Sequence, residues 1–166
     1  MSYEYSEDAL IEQATHDVLE ELGWKVVTAW TKESFGEQGL LGRENKSEVI
    51  LKRYVIQALA TLNPDLPLSV YEQAYEMLAQ KVADKTLASI NKGKYDVLKN
   101  GIPVVYTNDS GELVKKKLKI FDYNNYANND FLAVRQLEIV GELYSRRPDV
   151  IGFVNGVPLV FFELKG

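Results

Sequence analysis

The pattern of apolar and polar positions changes character near residue 102. Before it, apolar residues recur at helical spacing; after it, they alternate or run in short β-branched and aromatic stretches. Ser6 followed by Glu7 and Asp8 reads as a helix start, with Leu10, Ala14, Val18 and Leu22 along one face as far as Gly23. Trp24 to Trp30 predicts a strand, and TKESFGEQGLLGREN a polar, glycine-bearing loop. A second helix is predicted from a Ser47 cap to about Leu62, with Val49, Leu51, Val55, Ala58 and Leu59 inward and Asn63-Pro64 ending it. Val70 to Asn91 predicts one long amphipathic helix, followed by a turn-rich KGKYDVLKNG.

In the second part, IPVVY and LVKKKLKIF flank TNDSGE as a hairpin, and FLAVRQLEIV reads as one strand. DVIGFV and VPLVFFELK, joined at Asn155-Gly156, form a final hairpin. Leu159 to Phe162 is apolar on both parities, which predicts a central strand covered on both faces. Helices followed by a mixed or antiparallel sheet give an α/β fold, a mixed central β-sheet flanked by helices. At 166 residues and 46% hydrophobic content, a single domain over 1–166 is the expectation.

Composition narrows the chemistry. With no cysteine and one histidine, thiolate and multi-histidine metal sites are excluded, so any bound metal would be a hard cation on oxygen ligands. A net charge of −5 argues against a wholly electrostatic DNA binder but permits a local basic face. The acidic N-terminus is no signal peptide and no apolar run reaches membrane-spanning length, so a soluble, cytoplasmic protein is expected. GLLGRENKS is not a phosphate-binding loop, because Asn45 stands where the glycine before the lysine is required.

The strongest constellation is Arg147-Pro148-Asp149, a hairpin, then Glu163-Leu164-Lys165. Asp149 and Glu163 are the expected metal ligands, and Lys165, two residues on and on the same face as Glu163, can orient hydroxide or offset developing charge. An ordinary Glu/Lys pair at a strand end is the bland alternative. Lys115, Lys116, Lys117 and Lys119 form a basic run; Lys115, Lys117, Arg146 and Arg147 are candidate DNA contacts, against a solvated or aggregation-resisting edge. The two tryptophans and ten tyrosines carry no cage or stacking motif, so core or interface packing is expected of them.

The segment RPDVIGFVNGVPLVFFELKG resembles the nuclease motif of type I restriction enzyme R subunits, a branch of the PD-(D/E)xK superfamily, with Asp149, Glu163 and Lys165 matching its acid, acid and lysine. SEDALIEQATHDVLEELGW is similar to that family's opening helix, LNPDLP to its mid-domain turn, and NDFLAVRQLEI to the strand before the motif. The resemblance implies a restriction-endonuclease-like fold and Mg2+-dependent cleavage of double-stranded DNA, with Mn2+ able to substitute. It makes Glu12 the expected fourth catalytic group, with Glu7 and Glu20 as alternatives and His16 one turn beyond Glu12, and lets the Gly42-Arg43 loop touch DNA. It further implies an N-terminal fragment of a longer motor subunit, cut before a glutamine-tyrosine helix, that uses ATP and works with modification and specificity subunits. Two other readings stand beside this one: a non-catalytic DNA-holding or docking module, and a stand-alone nuclease.

Parity sets a condition on the site. A two-residue turn at Asn155-Gly156 would set Asp149 opposite Phe162, on the face away from Glu163. Shared metal binding therefore requires a bulge or an odd-length turn, such as Val154-Asn155-Gly156 with Gly156 at positive φ.

Overall fold

The computed structural model describes residues 7–81 and 86–165. The chain forms two compact units, Met1–Arg53 with Asp130–Gly166, and Tyr54–Asn129. The first holds helix α1 (Glu7–Glu21) and strands β1 (Lys25–Thr28), β4 (Phe131–Arg135), β7 (Val150–Val154) and β8 (Val157–Phe162) in a four-stranded sheet of order β1-β4-β7-β8. The sheet is mixed, as expected: β1 runs parallel to β4, while β4–β7 and β7–β8 are antiparallel. A short β5 (Ile139–Val140) and β6 (Ser145–Arg146) make a separate hairpin.

Helix α1 packs through Leu19 against Ala133 and Val150, with Trp24, Val26 and Phe162 alongside. Trp24 meets Phe131 edge-on at 5.2 Å. On the opposite parity, Leu132, Val134, Ile151 and Phe153 are fully buried. The Ser6 cap lies outside the described residues. Leu10, Val18 and Leu22 are exposed, so the i, i+4 stripe faces away from the core, which is served by Leu19 instead.

In the second unit, α2 (Lys52–Leu62) is followed by α3 (Leu68–Ala79), α4 (Leu87–Asn100) and the antiparallel hairpin β2 (Ile102–Thr107) and β3 (Leu113–Leu118). Asn63 is buried; its Nδ2 donates to the carbonyls of Leu59 and Lys119, and its Oδ1 accepts from the Lys119 N–H. Gln73 of α3 exchanges hydrogen bonds with both backbone groups of Val105, satisfying the β2 edge.

Several boundaries differ from the sequence expectations. Ser47 caps nothing: its hydroxyl donates to Asn45 Oδ1 at 2.6 Å, and α2 begins at Lys52, after Leu51 donates its N–H to Gly156 O. The long helix from Val70 is two helices, the second capped by Thr86, whose hydroxyl accepts the Ser89 N–H. That helix runs through KGKYDVLKN, since Gly93 has open space around it and costs only propensity. FLAVRQLEIV breaks at Gln136, which has φ 55°. β8 is an outer strand, not a central one, with Leu159 and Phe161 exposed. Pro158, which cannot donate to a ladder, fits that position. No helix among the described residues is long and apolar enough to cross a membrane.

A Cβ at Gly152 would sit 3.1 Å from the Trp24 ring and 3.3 Å from Val160 Cβ. Gly152→Val is expected to cost about 1–3 kcal/mol through overpacking, read as a melting temperature lower by roughly 2–4 °C per kcal/mol. An unchanged melting temperature would mean that the indole does not close over the strand.

Candidate functional site

Asn155 (φ 49°) and Gly156 (φ 81°) make the two-residue turn that Asn-Gly favours, in which both central residues need positive φ. Asn155 is locked there: its Oδ1 accepts the Asp130 N–H at 2.7 Å and its own N–H donates to Asp130 O at 2.9 Å. The odd-length turn is thus absent, and the parity condition is met inside β8 instead. Val154 pairs with Val157 and Phe153 with Pro158; the register then shifts, so that Gly152 pairs with Val160 and Val150 with Phe162, leaving Leu159 over. One extra residue turns every later side chain to the other face. Continuing that register by one step sets Asp149 opposite Glu163. The Leu164 N–H donates to Asp149 Oδ2 at 2.7 Å, holding the carboxylate against the end of β8.

Asp149 is half-buried, whereas Glu163 and Lys165 are exposed. Glu12 reaches the same region from α1. Arg135 Nη2 donates to its Oε2 at 2.6 Å, and Gln136 Nε2 lies 3.4 Å from its Oε1 and 3.2 Å from Asp149 Oδ1. Gln136 therefore links Glu12 to Asp149. Among the described residues, no three histidine, cysteine or acidic side chains are grouped to hold a metal. His16 Nδ1 lies 3.5 Å from Asp17 and 3.7 Å from Glu20, on its own helix.

The basic candidates divide. Arg43 is 1% exposed, which corrects its reading as a DNA contact. Its Nε and Nη2 pair with both oxygens of Glu33 at 2.7 and 2.6 Å, Nη1 donates to Lys46 O and Glu48 O, and Nη2 also donates to Glu138 O. All five guanidinium hydrogens are used, leaving none for a phosphate. Arg146 and Arg147 are exposed; the Arg147 guanidinium carbon lies 3.5 Å from the centre of the Trp30 ring and that of Arg146 5.3 Å from the centre of the Tyr144 ring. Trp30 is 49% exposed, so it is a surface platform rather than core. In the other unit, Lys115 and Lys117 oppose Val105 and Pro103 on the outer side of the β2–β3 hairpin, all four exposed. Lys116 opposes Val104.

A cleft of about 200 Å³ beside Gln136 is lined by Trp30, Thr31, Glu33, Phe35, Lys46 and Glu138, among others. Lys46 donates to Glu138 at 2.5 Å and holds its carboxyl below the usual range. Sequence reasoning missed Arg135 and Gln136. The available signal was two consecutive polar side chains interrupting an otherwise apolar strand.

A mixed sheet with flanking helices is the architecture expected of a restriction-endonuclease-like domain. The chain belongs to the family described as type I restriction enzyme R protein N terminus, whose model matches residues 4–166. It is 37% identical over 156 residues to the type I restriction enzyme HindI endonuclease subunit of Haemophilus influenzae, covering 93% of this chain and 14% of that protein. It is 33% identical over 175 residues to the putative type I restriction enzyme MjaIXP endonuclease subunit of Methanocaldococcus jannaschii, covering 96% of this chain and 15% of that protein. The chain thus spans about one seventh of the length of these relatives.

Removing the Arg43 guanidinium would strand a nearly buried Glu33 carboxylate. Arg43→Met is expected to destabilise the fold by about 3–5 kcal/mol, and adding Glu33→Gln to recover part of it. Denaturant unfolding of the single and double variants measures both, and a stable Arg43→Met protein would contradict the structural role.

Proposed function

We propose that this chain is the metal-dependent DNA-cleaving domain of a type I restriction enzyme endonuclease subunit. The observation that supports the reading is the register shift in β8, which, continued one step past Val150 and Phe162, would set Asp149 opposite Glu163. A half-buried carboxylate, Asp149, and an exposed one, Glu163, suit a hard cation, magnesium or manganese, whose other positions would be filled by water and phosphate oxygens. The chemistry a cation would supply there is polarisation of the scissile phosphate and a lowered pKa for an attacking water.

Asp149 and Glu163 would hold the ion, Asp149 being oriented by the Leu164 amide. Lys165, beyond Glu163 and exposed, offsets charge on the phosphate or orients the nucleophile. Arg146, Arg147, Lys115 and Lys117 supply sequence-independent phosphate contacts, with Arg147 held in place by Trp30. In the full-length protein, double-stranded DNA is the substrate, ATP drives a motor outside this domain, and separate modification and specificity subunits select the site.

A second reading, that the fold persists only as a DNA-holding or docking module, is favoured by the Glu12–Arg135 pair, which occupies the helix carboxylate. The two readings differ in metal dependence. Mn2+ should bind the chain weakly and Asp149→Ala should abolish that binding, measured by calorimetry. Retention of the same affinity in Asp149→Ala would leave only the docking module.

In the full-length motor subunit, Lys165→Ala should eliminate DNA cleavage while ATP hydrolysis and translocation continue. A folded variant that loses all three activities would show that Lys165 is coupled to the motor.

A further inference from the structure

Gln136 stands in a conformation that its residue type disfavours, with φ at 55°. Glycine would fit that backbone with less strain, so the side chain must contribute something glycine cannot. The main-chain N–H of Gln136 donates to Asp149 O at 3.0 Å. Its side-chain Nε2 then lies 3.2 Å from Asp149 Oδ1 and 3.4 Å from Glu12 Oε1. One amide group carries two hydrogens, so it can offer one to each carboxylate.

The other oxygens are occupied by different donors: Leu164 N–H on Asp149 Oδ2, and Arg135 on Glu12 Oε2. Two carboxylates facing one another repel, and a cation between them would be the strongest relief. A neutral amide between them orients both without cancelling their charge, which leaves Asp149 able to attract a metal.

We infer that Gln136 is a positioning residue, holding Asp149 in the orientation a divalent cation requires and tying the Glu12 carboxylate beside it. This rests on the nuclease reading above. The bent backbone is the means: it swings the Gln136 side chain off the β4 line and back toward the motif aspartate.

Gln136→Gly separates positioning from scaffolding, because glycine keeps the main-chain bond to Asp149 O and accepts positive φ. The parent chain, Gln136→Gly, Gln136→Met and Asp149→Ala are titrated with Mn2+ alone and melted without metal. Gln136→Gly should melt at or above the parent temperature yet bind Mn2+ roughly tenfold to a hundredfold more weakly, the range for loss of a group that orients a metal ligand. Gln136→Met, close in size but without a donor, should lose affinity to the same extent. Binding within about twofold of the parent in either folded variant, while Asp149→Ala abolishes it, overturns the role of Gln136 and leaves the nuclease reading standing. Failure of the parent to bind Mn2+, or undiminished binding by Asp149→Ala, overturns both. An affinity loss in Gln136→Gly that follows a lowered melting temperature and disappears on cooling would make Gln136 a scaffold residue and end the proposal.

Discussion

Side chains on a strand alternate between faces, so a hairpin can bring Asp149 beside Glu163 only if its register departs from that of a plain two-residue turn. The turn at Asn155-Gly156 is tightly specified: both residues have positive φ, and Asn155 exchanges two hydrogen bonds with Asp130. The departure is accommodated where it disturbs least. Leu159 follows Pro158, a residue with no N–H to give to a ladder, on an outer strand of the sheet. The same bulge twists an exposed edge that would otherwise offer a straight apolar template to other chains. Beyond it the Leu164 N–H donates to Asp149 Oδ2, and the same register carried one step further would put Asp149 and Glu163 on one face.

Around this hairpin, the arginines show how environment, not residue type, sets the role. Arg43 is buried with every donor satisfied by Glu33 and three carbonyls, so it organises the loop before α2. Arg135, half-buried, spends its charge on Glu12 and brings α1 to the end of β4. Arg147 is exposed with its guanidinium carbon over the Trp30 ring, a cation–π contact on the surface of the first unit. A net charge of −5 for the chain is compatible with such local basic sites.

Much of this was legible in the residues themselves. Apolar periodicity located α1, β1 and both large hairpins, the likeness of RPDVIGFVNGVPLVFFELKG to a known nuclease motif pointed to the family, and the order of the elements to a mixed sheet with helices. For Asp149 and Glu163 to share a metal, the parity of the last hairpin demands a bulge or an odd turn. Pro158 points to the outer position of β8, since a proline in a strand argues for an edge. The run Leu159 to Phe162 suggested the reverse, because an apolar stretch reads alike whether it is covered or exposed.

What the sequence determined by itself were local properties: where backbone periodicity changes, which turn Asn-Gly adopts, and which side chains have the chemistry to hold a hard cation. The tertiary structure decided how those properties were used. It chose a bulge over a longer turn, turned Arg43 inward, made one intended helix into two, and brought Gln136 between Glu12 and Asp149, residues separated by more than a hundred positions. Burial, register and pairing across such distances depend on how whole elements pack, and no short window of sequence contains both partners.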